Sequence, residues 1–286
     1  MSSDTSEFAS GSAEPSPGFW PSFALAVQEM FRWRVPTPRV VYQWNVITLT
    51  SLLAGAVFAS VVLVQTWACY LSADGYVDYV EGLVLFHQAQ AAAGENIYDA
   101  SFRTAPPYSI PLYGPVWYYL IAPFLGAEPT LLPGRAAALL CMLGLAGSGC
   151  YVLRKQFQAA WVVAIPISIV WMTTVGTLQF GINNRVDALG CLLGGLAVIA
   201  CTTRFRARWC VVVLLLLGAA FTKATAAVAP GLTVFLYLLL ERRWREASAI
   251  SIVTGLSALG ILLLGDLFSQ GNFSQCLVFS NANPLK

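Results

Sequence analysis

Charge is what this sequence has least of. Only 10% of its 286 residues are Asp, Glu, Lys or Arg, against roughly 25% in soluble domains. A soluble globular domain is excluded. The 16 basic residues barely outnumber the 14 acidic ones, for a net charge of +2. The basic excess that nucleic-acid binding draws on is missing, so nucleic acid is not expected as a partner. Histidine occurs once, at His87, and no multi-histidine metal site can be built from one residue. The seven cysteines contain no CxxC pair, and all but Cys276 sit in or beside apolar runs, where cysteine behaves as a small hydrophobe. They indicate neither a disulfide framework nor a zinc site. A secretory signal, basic and then apolar within roughly the first 15 to 30 residues, is lacking too, so the first apolar run is expected to remain in the mature protein.

What the chain has is apolar sequence, 57% of it hydrophobic. A bilayer core of roughly 30 Å takes about 20 apolar residues in a helix. Runs of that kind cover residues 46–70, 133–153, 159–175, 187–203, 209–222, 224–240 and 247–267. They predict an all-α polytopic membrane protein with about seven transmembrane helices. Residues 1–18 are rich in Ser, Gly, Pro and acid, which predicts a disordered tail. Residues 19–45 mix Phe, Trp, Leu and Met with Arg32 and Arg34 and read as an interfacial segment. Residues 46–268 then form the transmembrane module, with an external loop at 72–111. Residues 269–286 begin a second external region.

Orientation follows from the basic residues. Eleven of the sixteen collect in four clusters: Arg32, Arg34 and Arg39; Arg154 and Lys155; Arg204, Arg206 and Arg208; Arg242, Arg243 and Arg245. With seven crossings these share one side, the cytoplasmic one by the positive-inside rule. The expectation is an integral, multi-pass protein of a plasma (inner) membrane with its N-terminus in the cytoplasm. Residues 112–125 must then not cross, and with Pro115 and Pro123 inside they suit a short interfacial or re-entrant helix. An eight-crossing alternative would put three of the four basic clusters outside.

The external loop carries Asp74, Asp78, Glu81, Glu95 and Asp99 against Arg103. Residues 78–93 are helix-compatible and end at Gly94, so Asp78 and Glu81 share a face near the helix start. They are either a convergent carboxylate pair or acids that complement the helix dipole. His87 reads as interfacial packing rather than a base, and the aromatic stretch 105–119, with Tyr113, reads alone as an interfacial belt. Arg135, Arg185, Asp187 and Lys223 fall at the outer ends of different helices. Ionisable groups there must pair, snorkel or face a polar cavity. Cations beside acids on one membrane face suit a phosphate-bearing lipid whose chain lies in the bilayer.

The order of these features resembles the GT-C glycosyltransferases, polytopic enzymes that transfer a sugar from a polyprenyl-phosphate carrier at the outer membrane face. The resemblance lies in Asp78 and Glu81, in Gly94 with Ile97 and Tyr98, in Pro106 and Pro107, in Tyr113 and Pro115, and in Arg135. It continues in Arg185 and Asp187, and in Thr222, Lys223, Ala224 and Thr225. It implies inverting transfer from a polyprenyl-phosphate-linked sugar donor to a glycan, lipid or protein acceptor, in contact with membrane lipid. The catalytic base would be Asp78 with Glu81 beside it, or Asp74. Arg135, Arg185 and Lys223 would bind the donor phosphate, with Asp187, Tyr98 and Tyr113 supporting. Asp187 would orient Arg185 or hold a divalent cation, since the family does not uniformly need metal.

The family carries several more spans and an external C-terminal portion that helps to bind acceptor, whereas this sequence stops at Lys286 as an external loop begins. The expectation is therefore a fragment of a longer transferase or a seven-span remnant. Two rivals remain from other classes. One is a non-catalytic membrane subunit or degenerate paralogue. The other is a transporter of lipid-linked anions, against which stands the lack of a charge at the middle of any span.

Overall fold

A computed structural model of the chain describes residues 38–72, 79–99, 101, 110–173 and 183–279. The first helix, α1, runs over Pro38–Ser72, so it starts before the apolar run at 46. It is followed by α2 (Tyr79–Ala92), α3 (Pro115–Ile121) with a 3-10 turn at Ala122–Phe124, and α4 (Leu132–Lys155). The remaining long elements are α5 (Trp161–Met172), α6 (Asp187–Thr202), α7 (Arg208–Thr222), α8 (Ala224–Leu240) and α9 (Trp244–Ser269). Two short helical turns, Asn272–Ser274 and Gln275–Phe279, close the described chain.

Among the described residues, three helices are long and apolar enough to cross a membrane: Val46–Ser72 within α1, α4 and α9. The apolar helices α5 to α8 are shorter, at 12, 16, 15 and 17 residues. At 1.5 Å per residue they are about 18 to 26 Å long, against a hydrocarbon core of roughly 30 Å. The protein is thus an all-α, integral, multi-pass membrane protein, with three helices of membrane length among the seven apolar ones expected. The run at 112–125 becomes the seven-residue α3 and one further turn, too short to cross. The polar tail, most of the expected interfacial segment, Asp74, Asp78, Pro106 and Pro107 lie outside the described residues.

The α6 helix is the hub. It packs on α4 along one side and on α7 and α8 along the other; α5 joins α4 to α1, and α9 lies across α7 and α8. Small residues set the closest of these approaches. A Cβ added to Gly190 would sit 2.8 Å from Ala226 Cβ, and one added to Gly194 would sit 2.5 Å from Pro230 Cγ. Gly190 and Gly194 are four residues apart on α6, as Ala226 and Pro230 are on α8. This small-xxx-small pairing lets two helix backbones meet without a hydrophobic driving force between them.

Buried residues form two cores at the two ends of the bundle. Ala197, Cys201, Val212, Val234, Leu238, Ala247 and Ile250 join the C-terminal halves of α6 and α8 to the N-terminal halves of α7 and α9. Arg204, Arg206, Arg208 and Arg243 belong to that end. The other core centres on Trp117 and Tyr118 of α3, with Val84 of α2, Ile97, Tyr98, Ala138 of α4 and Phe221 of α7. Here α3 is held close to α7: the Gly114 N–H donates to the Thr222 carbonyl (3.1 Å), and a side chain at Gly114 would collide with the Phe221 backbone. Carboxylates and cations gather at this second, polar end.

Candidate functional site

At the polar end, α2 begins at Tyr79 and carries Glu81 in its first turn. The helix stops at Gly94, whose φ of +78° is readily adopted only without a Cβ. Glu81 is fully buried, and so is Arg135 from the first turn of α4. The two meet in a bidentate pair: Arg135 Nε donates to Glu81 Oε1 (3.0 Å) and Nη2 to Oε2 (2.8 Å). A third donor, the Asn184 backbone N–H, reaches Glu81 Oε1 at 2.7 Å, and Arg135 Nη1 donates to the Tyr70 carbonyl at 2.6 Å. Both charges are therefore compensated inside the protein, as burial requires.

The same network holds Asn184 by its side chain. Asn184 Nδ2 donates to Gln88 Oε1 (2.8 Å), while Gln88 Nε2 and Trp117 Nε1 both donate to Asn184 Oδ1 (3.1 Å each). Gly134 leaves room for this carboxamide, because a Cβ there would overlap it. Four elements, α1, α2, α3 and α4, thus fix one short stretch ahead of α6. Asn184, Gln88 and Trp117 were not singled out from the sequence. For Asn184 and Gln88 the only signal was an amide in an apolar setting, and amides are common in loops; Trp117 lay within the aromatic stretch 105–119, read as a belt.

Next to that anchored stretch, the structure brings together Arg185, Asp187 and Lys223. Lys223 Nζ donates to Asp187 Oδ1 at 2.5 Å. Arg185 Nε lies 3.4 Å from Asp187 Oδ2, an ion pair by distance without hydrogen-bond alignment. Unlike the buried pair, this cluster meets its surroundings: Lys223 is 30% exposed, Asp187 15% and Arg185 14%, against 0% for Glu81. Tyr113 covers it, with the Lys223 ammonium 5.6 Å from its ring centroid, within cation–π range. Tyr113 is itself fixed by Tyr98, whose hydroxyl donates to the Tyr113 carbonyl at 2.8 Å. Burial pushes the Tyr98 phenol well above its ordinary pKa, so it stays a donor. Tyr98 packs edge-on against Phe273 at 4.8 Å.

The nine sequence candidates thus divide. Tyr98, Tyr113, Arg185, Asp187 and Lys223 form one connected, partly open group. Glu81 and Arg135, grouped in the sequence reading as a base candidate and a phosphate ligand, are each other's partners beneath it. Asp74 and Asp78 lie outside the described residues, Asp78 immediately before α2. A divalent cation does not fit at Asp187, because both carboxylate oxygens face cationic side chains that would repel it. Asp187 lies between the two cations, hydrogen-bonded to Lys223 and 3.4 Å from Arg185.

His87 sits on the far side of α2. It is fully buried, with Nδ1 3.0 Å from Gln90 Oε1 and its ring edge-on to Phe86 and Tyr118. Burial lowers its pKa from 6.5 to about 4, with the Gln90 side chain and the Ile110 backbone opposing the shift. The ring is therefore neutral near pH 7 and packs between aromatic rings while keeping its contact with Gln90.

No family model, no curated protein and no solved structure matches the chain.

Proposed function

We propose that the protein is a membrane glycosyltransferase of GT-C type, transferring a sugar from a polyprenyl-phosphate donor to an acceptor at the outer membrane face. The observation that carries this reading is the partly exposed cation pair, Arg185 and Lys223, held on either side of Asp187 beneath Tyr113. Two cations oriented by one carboxylate are suited to a phosphate oxygen that gains charge as the glycosidic bond breaks. The donor phosphate would take over part of their contacts with Asp187.

In this reading Glu81 and Arg135 are positioning residues. Their pair binds the Asn184 N–H and so sets the backbone from which Arg185 and Asp187 project. The base comes from the acidic stretch before α2, with Asp78 first and Asp74 second. It removes the acceptor hydroxyl proton. The acceptor oxygen bonds to the anomeric carbon, and the carbon–oxygen bond to the polyprenyl phosphate breaks with its electron pair on the phosphate. An apolar cavity of about 630 Å³, lined by Leu145, Val152, Ile167, Trp171, Val198 and Pro230, supports a prenyl chain within the bundle. Pro230 is seven residues along α8 from Lys223, about 10 Å at helical rise.

The test is transfer from a polyprenyl-phosphate sugar by the purified protein in lipid nanodiscs. Asp78→Asn is expected to abolish transfer while leaving membrane insertion and donor binding intact. Full activity in that variant removes Asp78 from the mechanism. Absence of transfer by the wild-type protein from any polyprenyl-phosphate sugar overturns the enzymatic reading.

A further inference from the structure

The opposite end of the bundle holds a second cluster that the transferase reading does not use. Arg204, Arg206, Arg208 and Arg243, with Glu241 and Trp209, line a cavity of about 720 Å³. Two of these guanidinium groups are ordered by one indole and one carboxylate. The Arg208 and Arg243 Cζ atoms lie 4.2 and 5.1 Å from the Trp209 ring centroid. Glu246 accepts from Arg243 Nε (2.8 Å) and Nη2 (2.5 Å) and lies 3.7 Å from Arg208 Nη2. Arginine has five N–H donors, so these contacts fix its plane and still leave donors for a ligand. Arg204 and Arg206 are exposed at the rim. Four arginines against Glu241 and Glu246 leave two positive charges in excess at the site.

A second groove continues from this cavity into the apolar zone. It has a volume of about 440 Å³ between α7 and α9, lined by Val213, Leu214, Ile250 and Val253, with Trp209 and Glu246 at its mouth. Trp209 lines both cavities and so stands where a polar head meets an apolar chain, the level at which interfacial tryptophans sit.

We propose that this end of the protein binds an anionic glycerophospholipid, its phosphate among Arg204, Arg206, Arg208 and Arg243 and an acyl chain between α7 and α9. Charge complementarity selects the anionic head group, and the contiguous apolar groove selects a lipid over a free phosphate. By the positive-inside rule this lipid belongs to the cytoplasmic leaflet, opposite the sugar donor. The inference is independent of the transferase reading, since it requires no chemistry at Lys223.

The test uses the full chain in nanodiscs made with phosphatidylcholine alone or with added phosphatidylglycerol, and counts lipids retained by native mass spectrometry. Selective retention of phosphatidylglycerol is expected. Arg204→Gln with Arg206→Gln, both exposed and remote from the core, is expected to weaken that retention about thirtyfold, at about 1 kcal/mol per arginine. Leu214→Trp, which fills the groove, is expected to weaken it while leaving the arginines in place. Equal retention of the two lipids, or unchanged retention in the double arginine variant, overturns the proposal. Displacement of the lipid by inorganic phosphate alone overturns the acyl-chain component, because a head-group contact would then suffice.

Discussion

Asp187 and Lys223 pair across two helices that run in the same direction and in register. Lys223 precedes Asp187's partner helix by one residue, and the offset of 36 between them recurs down the contact: Gly190 meets Ala226, and Gly194 meets Pro230. Residues i, i+3 and i+7 of a helix share a face. The small residues on that face therefore bring the carboxylate of α6 and the ammonium at the head of α8 within hydrogen-bond reach. The ion pair is a consequence of helix packing one and two turns below it.

Widening that contact should separate the pair. In Gly194→Val the new side chain meets the rigid Pro230 ring, and overpacking of this kind costs about 1 to 3 kcal/mol. A lower detergent unfolding midpoint is expected, together with weaker donor binding. Gly231→Ala on α8 is the control, since a Cβ there meets nothing within 4 Å and helix propensity favours it by about 1 kcal/mol. Equal midpoints for the two variants would remove the packing argument.

The buried pair should behave quite differently from the partly exposed one. Glu81→Gln removes the charge of Arg135's bidentate partner in the interior, and breaking such a buried pair costs about 3 to 5 kcal/mol. Glu81→Leu combined with Arg135→Met should recover part of that loss, although the Asn184 N–H and the Tyr70 carbonyl then lack these partners. Unfolding in detergent reads both. A double variant less stable than Glu81→Gln alone would sink the account of a compensated buried charge.

Lys223→Ala and Arg185→Ala are expected to weaken binding of the polyprenyl-phosphate donor with little change in folding, because partly exposed ion pairs contribute roughly 0 to 1 kcal/mol to stability. Donor titration by fluorescence or calorimetry measures this. Unchanged donor affinity in both variants would remove the phosphate cradle.

Acid should destabilise the loop helix through His87. Its folded pKa of about 4 lies below the unfolded 6.5, so between these values the unfolded chain binds more protons. This contribution is fully present above about pH 6.5 and is lost as pH falls toward 4, by at most about 3 kcal/mol. His87→Gln should flatten the pH dependence of the unfolding midpoint over that window. A slope identical to wild type would assign the acid sensitivity elsewhere.

Gly134→Ala tests the anchored stretch directly, because the added methyl would overlap the Asn184 carboxamide. Loss of stability is expected, with partial rescue by Asn184→Ala in the same chain. Absence of any coupling between the two substitutions, read as a double-mutant cycle, would show that the contact is not made.

The helices were legible because length and hydropathy are local. The expectation of a helix over 78–93 corresponds to Tyr79–Ala92, and the proline-bearing run at 112–125 to the short α3. Membrane character follows directly from 57% hydrophobic residues and 10% charged ones. The sequence also marked Arg135, Arg185, Asp187 and Lys223, since any charge at a span boundary stands out. It did not indicate which of them pair. Helices that face lipid on one side and protein on the other are apolar all round, so periodicity gives no inward face. The bond from Glu81 to Arg135 spans 54 residues and that from Asn184 to Glu81 spans 103, and only packing brings such positions together. By itself the sequence determined that the chain is a helical membrane protein with ionisable groups at its helix ends. The tertiary structure decided which of those groups are fully buried in pairs and which pair at a partly exposed cluster, because burial and partnership depend on helix register, a property of the packed bundle.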